Sequence, residues 1–551
     1  MLAMTTTTNP TARLPREETG NRVGPGETAA TDAARTASPS AARFPTILFP
    51  ETAGAEAGAT QEPEFFRDLN LDQIVEAITK GREPYNLKPL YYTPLTKLDQ
   101  IAFRHEIMRD LEKETLFERL KSFSERMLGM RGHLSAESIL HYQYQKERAL
   151  LSAAGLYCEA VEKLRRDLDS AGAHSRGLLA IRDYLAQYVE SASFKTLSQK
   201  ARTVQEGLAA LRYCVLIDES NITVRNYETE TDYSAEVEET FAIFKQGAVK
   251  DYRVGFPESS GMNHIESMIL DFVAKLNPAA FAALDDFYAQ HRTFVDQPIL
   301  EFDRGIQFYI SYLEYVAALK RGGLSFCYPV VSDSSKAVLS RNSFDLALAS
   351  KLVAQNSPAV CNDFHLNGVE RMIVVTGPNQ GGKTTFARAF GQIHYLASLG
   401  CPVPGTEARV FLVDRVFTHF DSEEDIATLH GKLKDDLVRI HRVLDRATPT
   451  SLVVMNEIFS STSLEDAIYL GKKVLERLSK LDLLGVCVTF LDELSSLNEK
   501  TVSMVAKIVP EDPTQRTFRI ERMPANGLSY ALALAEKYRL TYGRLKERIT
   551  R

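Results

Sequence analysis

The most constraining feature of the chain is a short apolar run that becomes a Gly-rich loop and then a helix. The run covers 372–375, and the segment after it supplies nine candidate nucleotide-binding residues: Gly377, Pro378, Asn379, Gln380, Gly381, Gly382, Lys383, Thr384 and Thr385. Their spacing fits G-x-x-x-x-G-K-[ST], in which backbone N–H groups surround phosphates, the Lys reaches the β and γ oxygens and the hydroxyl binds Mg²⁺. The sequence therefore predicts a strand, a phosphate-binding loop and a helix.

Each residue type in this loop has a physical reason. Glycine lets the backbone adopt conformations closed to other residues and approach an anion closely. A helix beginning near Lys383 points its unpaired N–H groups and the positive end of its dipole at that anion. The alternative, a turn that only joins strand to helix, is disfavoured because an eight-residue match with correct flanks rarely arises by chance.

A second apolar strand, 452–455, ends in the pair Asn456-Glu457. A phosphate loop needs a carboxylate at such a strand end to position the metal and the attacking water. Glu457 is the candidate base or water-orienting residue, and Asn456 stands where an Asp usually holds Mg²⁺. The candidate catalytic residues are thus Glu457, Lys383 and Asn456, and the candidate metal ligands are Thr384, Asn456 and Glu457. An exposed carboxylate in a surface ion pair is the alternative for Glu457.

Around this site, strand and helix patterns alternate from about 331 to 551. Strands are predicted at 408–413, 452–455, 486–489 and 516–521, and helices at 433–445, 464–478 and 531–546. Alternation of this kind predicts a mostly parallel, doubly wound sheet.

The preceding region, 61–330, has helical periodicity, including one long stretch over 135–168. Strand-like alternation predicts a small β insertion near 213–253. Apolar residues spaced by three and four predict a core-facing helix, and they are Ile299, Phe302, Ile306, Tyr309, Leu313 and Val316. The fold class is therefore multidomain, with a helical core followed by an α/β domain.

Residues 1–60 are rich in Ala, Thr, Pro and Gly, a composition that predicts a disordered tail. One apolar island, 44–49, interrupts this tail. Two interpretations of the island remain open, a segment docked on the folded body and an isolated sticky segment.

Charge and cysteine content limit the partners and the compartment. The chain has 65 basic and 72 acidic residues and a net charge of −7. It therefore lacks the basic excess of a dedicated nucleic-acid binder, so any contact with nucleic acid must be local or formed by a surface that a dimer assembles. The six cysteines include no C-x-x-C pair, which argues against zinc and a disulfide framework. No apolar run is long enough to span a membrane. We expect a cytoplasmic protein without membrane contact.

Several motifs, taken in order, resemble those of the MutS family of DNA mismatch-repair ATPases. The segment 376–385 is close to the family's TGPNMGGKST, and 456–463 (NEIFSSTS) resembles its DEIGRGTS. Further matches are Ser343 to Ala349, Asn362-Asp363, Gly400 to Pro404, Phe417 to Phe420 (compare FTRIG) and Ser529-Tyr530 (compare SYG), and Tyr92 to Thr96 resemble, more weakly, the start of the family's helical core. The resemblance implies a phosphate-loop ATPase domain of the ABC type over 331–551, ATP and Mg²⁺ as cofactors, a homodimer and a DNA partner.

The departures from the family pattern are also informative. We expect the family's mismatch-reading N-terminal domain and the C-terminal extension of some relatives to be absent. Gly431-Lys432 stand where the family has a Ser-Thr pair, and Phe490 stands where it has a His. A divergent MutS-like ATPase that binds branched or otherwise unusual DNA, rather than a mismatch sensor, is the first expectation.

Two other functions compete with this expectation. An ATP-binding scaffold for a protein partner, with weak or no hydrolysis and no DNA contact, is favoured by Asn456, Gly431 and the net charge. A metabolic phosphoryl transferase is disfavoured because no segment resembles an acceptor pocket or a lid.

Overall fold

Long helices form the first part of the chain, and among the described residues the last part contains three β-sheets with helices between their strands: a six-stranded main sheet, a four-stranded sheet and the short pair formed by Phe326–Cys327 and Val403–Pro404. The computed structural model describes residues 46–50, 59–218, 221–228, 262–420, 431–509, 512–525 and 540–549. The helices of the first part are α1 (Phe65–Asp68), α2 (Leu71–Thr79), α3 (Lys88–Tyr92), α4 (Leu98–Leu111), α5 (Glu114–Ile139), α6 (Gln143–Ser170), α7 (Arg176–Glu190), α8 (Ala192–Ala209), α9 (His264–Leu276), α10 (Pro278–Gln290) and α11 (Gln297–Arg321).

The helical part agrees with its sequence pattern except at one break. The predicted continuous stretch 135–168 is wrong, because α5 ends at Ile139 and α6 begins at Gln143. The helical spacing of apolar residues continues on both sides of this break, because the two helices pack against each other and each has a buried face. The core-facing residues predicted on α11 are buried or partly buried, which confirms that helix as core.

The β insertion lies between α8 and α9. It contains the antiparallel strands β1 (Tyr213–Asp218) and β2 (Asn221–Asn226), and the rest of the predicted insertion, 229–253, lies outside the described residues. Within the described ranges no single helix is long and apolar enough to cross a membrane; α9 and α10, bent by 108° at their junction, meet that test of length and composition only as a pair.

The last part contains twelve strands and five helices among the described residues. They are β3 (Phe326–Cys327), β4 (Val330–Ser332), β5 (Val338–Ser343), α12 (Leu346–Ala354), β6 (Asn362–Leu366), β7 (Met372–Thr376), α13 (Lys383–Ser398), β8 (Val403–Pro404), β9 (Glu407–Phe411), β10 (Val416–His419), α14 (Lys432–Arg446), β11 (Leu452–Asn456), α15 (Leu464–Leu481), β12 (Leu484–Val488), β13 (Thr501–Val509), β14 (Asp512–Arg522) and α16 (Tyr542–Ile549).

The main sheet has six strands in the order β10-β11-β12-β7-β13-β14, parallel from β10 to β13 with β14 antiparallel at the edge. Alternate residues of β7 belong to different cores. Ile373 and Val375 share a core with Phe386 and Phe390 of α13. Met372 and Val374 instead join a core that includes Leu475 of α15. Successive strand side chains point to opposite faces, so helices cover both faces and the sheet is doubly wound, as predicted.

The sequence pattern did not anticipate a second sheet. Its four strands run β4-β9-β5-β6, with β5 antiparallel to β6 and β9. The strand predicted at 408–413 is therefore β9 of this sheet rather than part of the main one. The composition of a short strand does not indicate the sheet to which it belongs, because sheet membership depends on pairing with strands far away in the sequence. The domain boundary at 330 stays a prediction.

The segment 46–50 corrects the predicted disordered tail over 1–60. Ile47 and Leu48 are buried, and the hydroxyl of Tyr309 donates to the Ile47 carbonyl at 2.8 Å. The buried Arg104 donates to the Leu48 carbonyl at 3.2 Å and to the Leu399 carbonyl, at the end of α13, at 2.8 Å. Of the two interpretations left open for the island, docking on the folded body is the one observed. The average composition of residues 1–60 predicts disorder, whereas the apolar island within them buries its side chains on the folded body.

Shortening Ile47 tests this docking. Its Cγ2 atom packs so closely on α11 that a Cβ added to Gly305 would lie 2.5 Å away. We expect Ile47→Ala to lower the free energy of unfolding in urea by about 2–5 kcal/mol, the usual cost of an unfilled core position. Val369→Ala, at a half-exposed residue, is the control and should change it by less than about 0.5 kcal/mol. Equal small effects would show that Ile47 is not docked.

Candidate nucleotide-binding site

The phosphate loop follows β7, which lies between β12 and β13 in the main sheet. Gly377 and Gly382 have φ of +117° and +88°, values that favour glycine. A Cβ on Gly377 would lie 3.0 Å from the backbone N of Ala506 in β13, and one on Gly381 would lie 2.9 Å from the Pro378 carbonyl oxygen. The glycines are therefore required by close backbone contacts as well as by dihedral angles.

Lys383 is the first residue of α13, and its side chain is bound inside the loop. Its Nζ donates to the carbonyl oxygens of Gly377 at 2.9 Å and Pro378 at 3.0 Å. Burial lowers the pKa of Lys383, the Glu457 carboxylate opposes that shift and Arg516 adds to it. A buried ammonium is costly without a negative partner, so the loop is suited to an anion.

Phe490 covers the same ammonium from the end of β12. The ring centroid lies 4.8 Å from Lys383 Nζ, within the range of a cation–π contact. The family that the chain resembles carries a His here. Phe490 therefore replaces a side chain that can form hydrogen bonds with one that makes only a cation–π contact with the ammonium.

Thr384 and Asn456 meet directly at the base of the loop. The Thr384 hydroxyl donates to Asn456 Oδ1 at 2.8 Å, and Asn456, the last residue of β11, is buried. A hydroxyl and an amide oxygen are oxygen ligands of the kind Mg²⁺ accepts. Among the described residues no group of three or more His, Cys, Asp and Glu could hold a metal ion. These residues fit Mg²⁺ shared with water and phosphate oxygens rather than one enclosed by protein ligands.

Glu457 lies in a constrained turn beside the loop. Its φ is +56°, and its N–H donates to the Val488 carbonyl at 2.9 Å, so its backbone is fixed to β12. The buried Phe459 also has a positive φ, +59°, where the resembled motif has glycine. Such conformations in residues other than glycine cost about 1–3 kcal/mol each and concentrate at functional sites.

One cavity of about 710 Å³ joins these elements. Its polar wall contains the loop and Glu457, and its other wall is formed by Leu348, Leu352, Pro358, Val360 and Phe518. Asn362 fixes Phe518 by donating to its carbonyl at 3.1 Å and accepting from the Ile520 N–H at 2.8 Å. A cavity of this size with one anion-binding end and one apolar end matches the two halves of a nucleotide.

The structure brings the predicted site residues together. Seven of the nine loop residues, Asn379 to Thr385, line the cavity with Glu457. Gly377 and Pro378 contact Lys383, and Asn456 contacts Thr384. Ser463 accepts from the Asp466 N–H as the N-cap of α15. Gly431 precedes α14, whereas Ser529-Tyr530 lie outside the described residues.

The apolar wall was missed by the sequence reasoning. The motifs at 343–349 and Asn362-Asp363 were noted as matches, but no role was assigned to them. The only local signal for Phe518 would have been an aromatic residue in a predicted strand, which most often means core packing.

Loop, helix and cavity together form the candidate nucleotide site. The sequence model of MutS domain V matches residues 373–539, a range that contains the whole loop, 377–385, and the Asn456-Glu457 pair. The match supports a MutS-family protein and confirms the resemblance that the motifs indicated. MutS domain V is the ATPase domain of that family, which suggests nucleotide binding in this region. The helical part of the chain lies outside the match.

Removing the Lys383 ammonium tests the site. We expect Lys383→Ala to weaken ATP binding about 100-fold, because charged hydrogen bonds contribute about 1.5–3 kcal/mol each and the Lys reaches two phosphates. Isothermal titration calorimetry would measure the affinity. Lys473→Ala, which removes an exposed lysine of α15, is the matched control and should bind as the wild type does. Equal affinities for the two variants would contradict the assignment of the loop.

Proposed function

We propose that this protein binds and hydrolyses ATP with Mg²⁺ and couples its nucleotide state to the binding of mismatched, branched or otherwise unusual DNA. The observation that carries the proposal is the convergence of Lys383, Thr384 and Glu457 on one cavity, with Asn456 hydrogen-bonded to Thr384 beside it, at the ends of strands β7 and β11. This is the arrangement that phosphate transfer to water requires.

Each side chain has a chemical task in this proposal. Lys383 neutralises charge on the β and γ phosphate oxygens. Thr384 and Asn456 hold Mg²⁺ or its waters, and Mg²⁺, when bound, offsets the charge that develops on the transferred group. Glu457 accepts a hydrogen bond from the attacking water and orients it. Because Asn456 keeps an oxygen acceptor without a charge, we expect weaker metal binding than with Asp.

Contacts along α13 support coupling between the nucleotide and the helical part. Three side chains of this helix donate to backbone carbonyls in 65–92: Arg388 to Asp68 at 2.9 Å, Gln392 to Leu69 at 2.8 Å and Tyr395 to Tyr91 at 2.7 Å. The same helix begins with Lys383. A shift of α13 on nucleotide binding would therefore move the backbone of the helical part directly.

The DNA partner and the homodimer come from the family, whose members typically bind DNA and form dimers. Two large exposed apolar side chains near the start of α15, Leu464 and Tyr469, support an interface close to the nucleotide site. The net charge of −7 requires that DNA contact be local or formed jointly by two protomers.

An ATP-binding scaffold is the second candidate, and Asn456 favours it. An uncharged group beside the metal, with Phe490 over Lys383, is consistent with a site that holds ATP and turns it over slowly. In that case the helical part would bind a protein partner rather than DNA.

Turnover measurements separate these two candidates. Glu457→Gln should retain ATP binding, since Gln is nearly isosteric, and lower steady-state phosphate release by about 10²- to 10⁴-fold, the usual loss of a positioned base. Asn456→Asp should keep or raise turnover and lower the Mg²⁺ concentration required. Equal rates for the wild type and Glu457→Gln would refute hydrolysis and leave the scaffold.

Binding to DNA tests the remaining part of the proposal. Affinity for a four-way junction and for linear duplex of the same length should differ, and ATP should change that difference. Raising the salt concentration should weaken the binding because phosphate contacts release counterions. Analytical ultracentrifugation of the same samples should show a dimer. No binding to either DNA, with ATP binding intact, would support the protein scaffold instead.

A further inference from the structure

Arg516 approaches the phosphate loop from outside the predicted motifs. It lies on β14, paired with Ile508 of β13, and β13 is the strand next to β7. Its Nε donates to the carbonyl oxygen of Asn379, inside the loop, at 3.1 Å. The side chain is half-buried, and its hydrogen bond to Asn379 holds the guanidinium charge beside the loop.

A second cation lies close to Lys383 at the loop. Burial lowers the pKa of Lys383, and the positive charge of Arg516 lowers it further, whereas the Glu457 carboxylate raises it. Two cations held together in a partly buried site become favourable when an anion joins them.

We infer that Arg516 is a second phosphate-binding cation of the nucleotide site. It supplies part of the positive charge that neutralises the phosphates, because a site with the uncharged Asn456 is expected to bind Mg²⁺ more weakly than one with Asp. Arginine suits this role because its planar guanidinium binds phosphate oxygens through two parallel N–H groups and stays charged. The inference rests on the proposed nucleotide site and adds a residue to it.

The test measures ATP affinity with Mg²⁺ and again in excess EDTA. Three variants of Arg516 separate its charge from its hydrogen bond: Arg516→Ala removes both, Arg516→Lys keeps the charge, and Arg516→Gln keeps a donor without charge. Arg522→Ala is the control, because it removes one positive charge from the same strand at a residue that pairs with Glu370 instead. Thermal unfolding of each variant checks that the fold is retained.

In EDTA, Arg516→Ala and Arg516→Gln should bind ATP about 10- to 100-fold more weakly than the wild type, the range for a lost charged hydrogen bond. The loss should be smaller with Mg²⁺ present, and Arg516→Lys should recover part of the affinity. Arg522→Ala should match the wild type in both buffers. ADP, which carries less charge, should show a smaller effect of Arg516→Ala than ATP.

Two results would overturn the inference. One is an Arg516→Ala variant that binds ATP as Arg522→Ala does in EDTA. The other is an Arg516→Gln variant that binds as the wild type does, since the contact to Asn379 would then be structural. Failure of the nucleotide site itself looks different, because wild type and Lys383→Ala would then bind ATP equally poorly in both buffers.

Discussion

Helix α13 has to satisfy two sets of contacts at once, and the rest of the structure depends on how it does so. Its first residue, Lys383, belongs to the phosphate loop, while most of its length is buried between the main sheet and the helical part. The buried Gln392 shows the constraint. Its amide nitrogen donates to the Leu69 carbonyl and its amide oxygen accepts from the Leu346 N–H, so each end of the amide is used. Polar groups buried in this way fix the position of a helix, because any displacement leaves them unpaired.

This position determines what the site can do. The N-terminal N–H groups of α13 point toward the cavity, and the strand ends of β7, β11 and β12 bring Lys383, Asn456 and Phe490 to the same edge of the sheet. Two of these three residues differ from the pattern of the resembled family. One change replaces a carboxylate with an amide beside Thr384, and the other replaces an imidazole with a hydrocarbon ring beside Lys383. Arg516 adds a positive charge that contacts the loop through the Asn379 carbonyl. In the proposed site we therefore expect phosphate binding to rely more on protein cations than on a carboxylate-bound metal.

The parts of the site that were predicted from sequence share one property, which is that their signal is local. The loop glycines and Lys383 have fixed spacing, and Glu457 follows directly on an apolar strand. Phe518 and Arg516 were not predicted because their roles come from contacts with residues far away in the chain, Asn362 and Asn379. For the segment 46–50 the sequence left docking as one of two interpretations, because its contact with Arg104 is also distant. The main sheet could be predicted from alternating strands and helices. The second sheet could not, since a short strand such as β9 carries no information about its partner.

The central claim, that the nucleotide acts on the helical part through α13, is tested most directly by hydrogen exchange. Amide exchange of residues 65–95 would be measured with and without ATP in the wild type and in Arg388→Ala, which removes the contact to Asp68 outside the phosphate loop. The account predicts that ATP slows exchange in 65–95 of the wild type, and that this effect is much weaker in Arg388→Ala although the variant still binds ATP. Slower exchange in the phosphate loop alone, with 65–95 unchanged in the wild type, would contradict it.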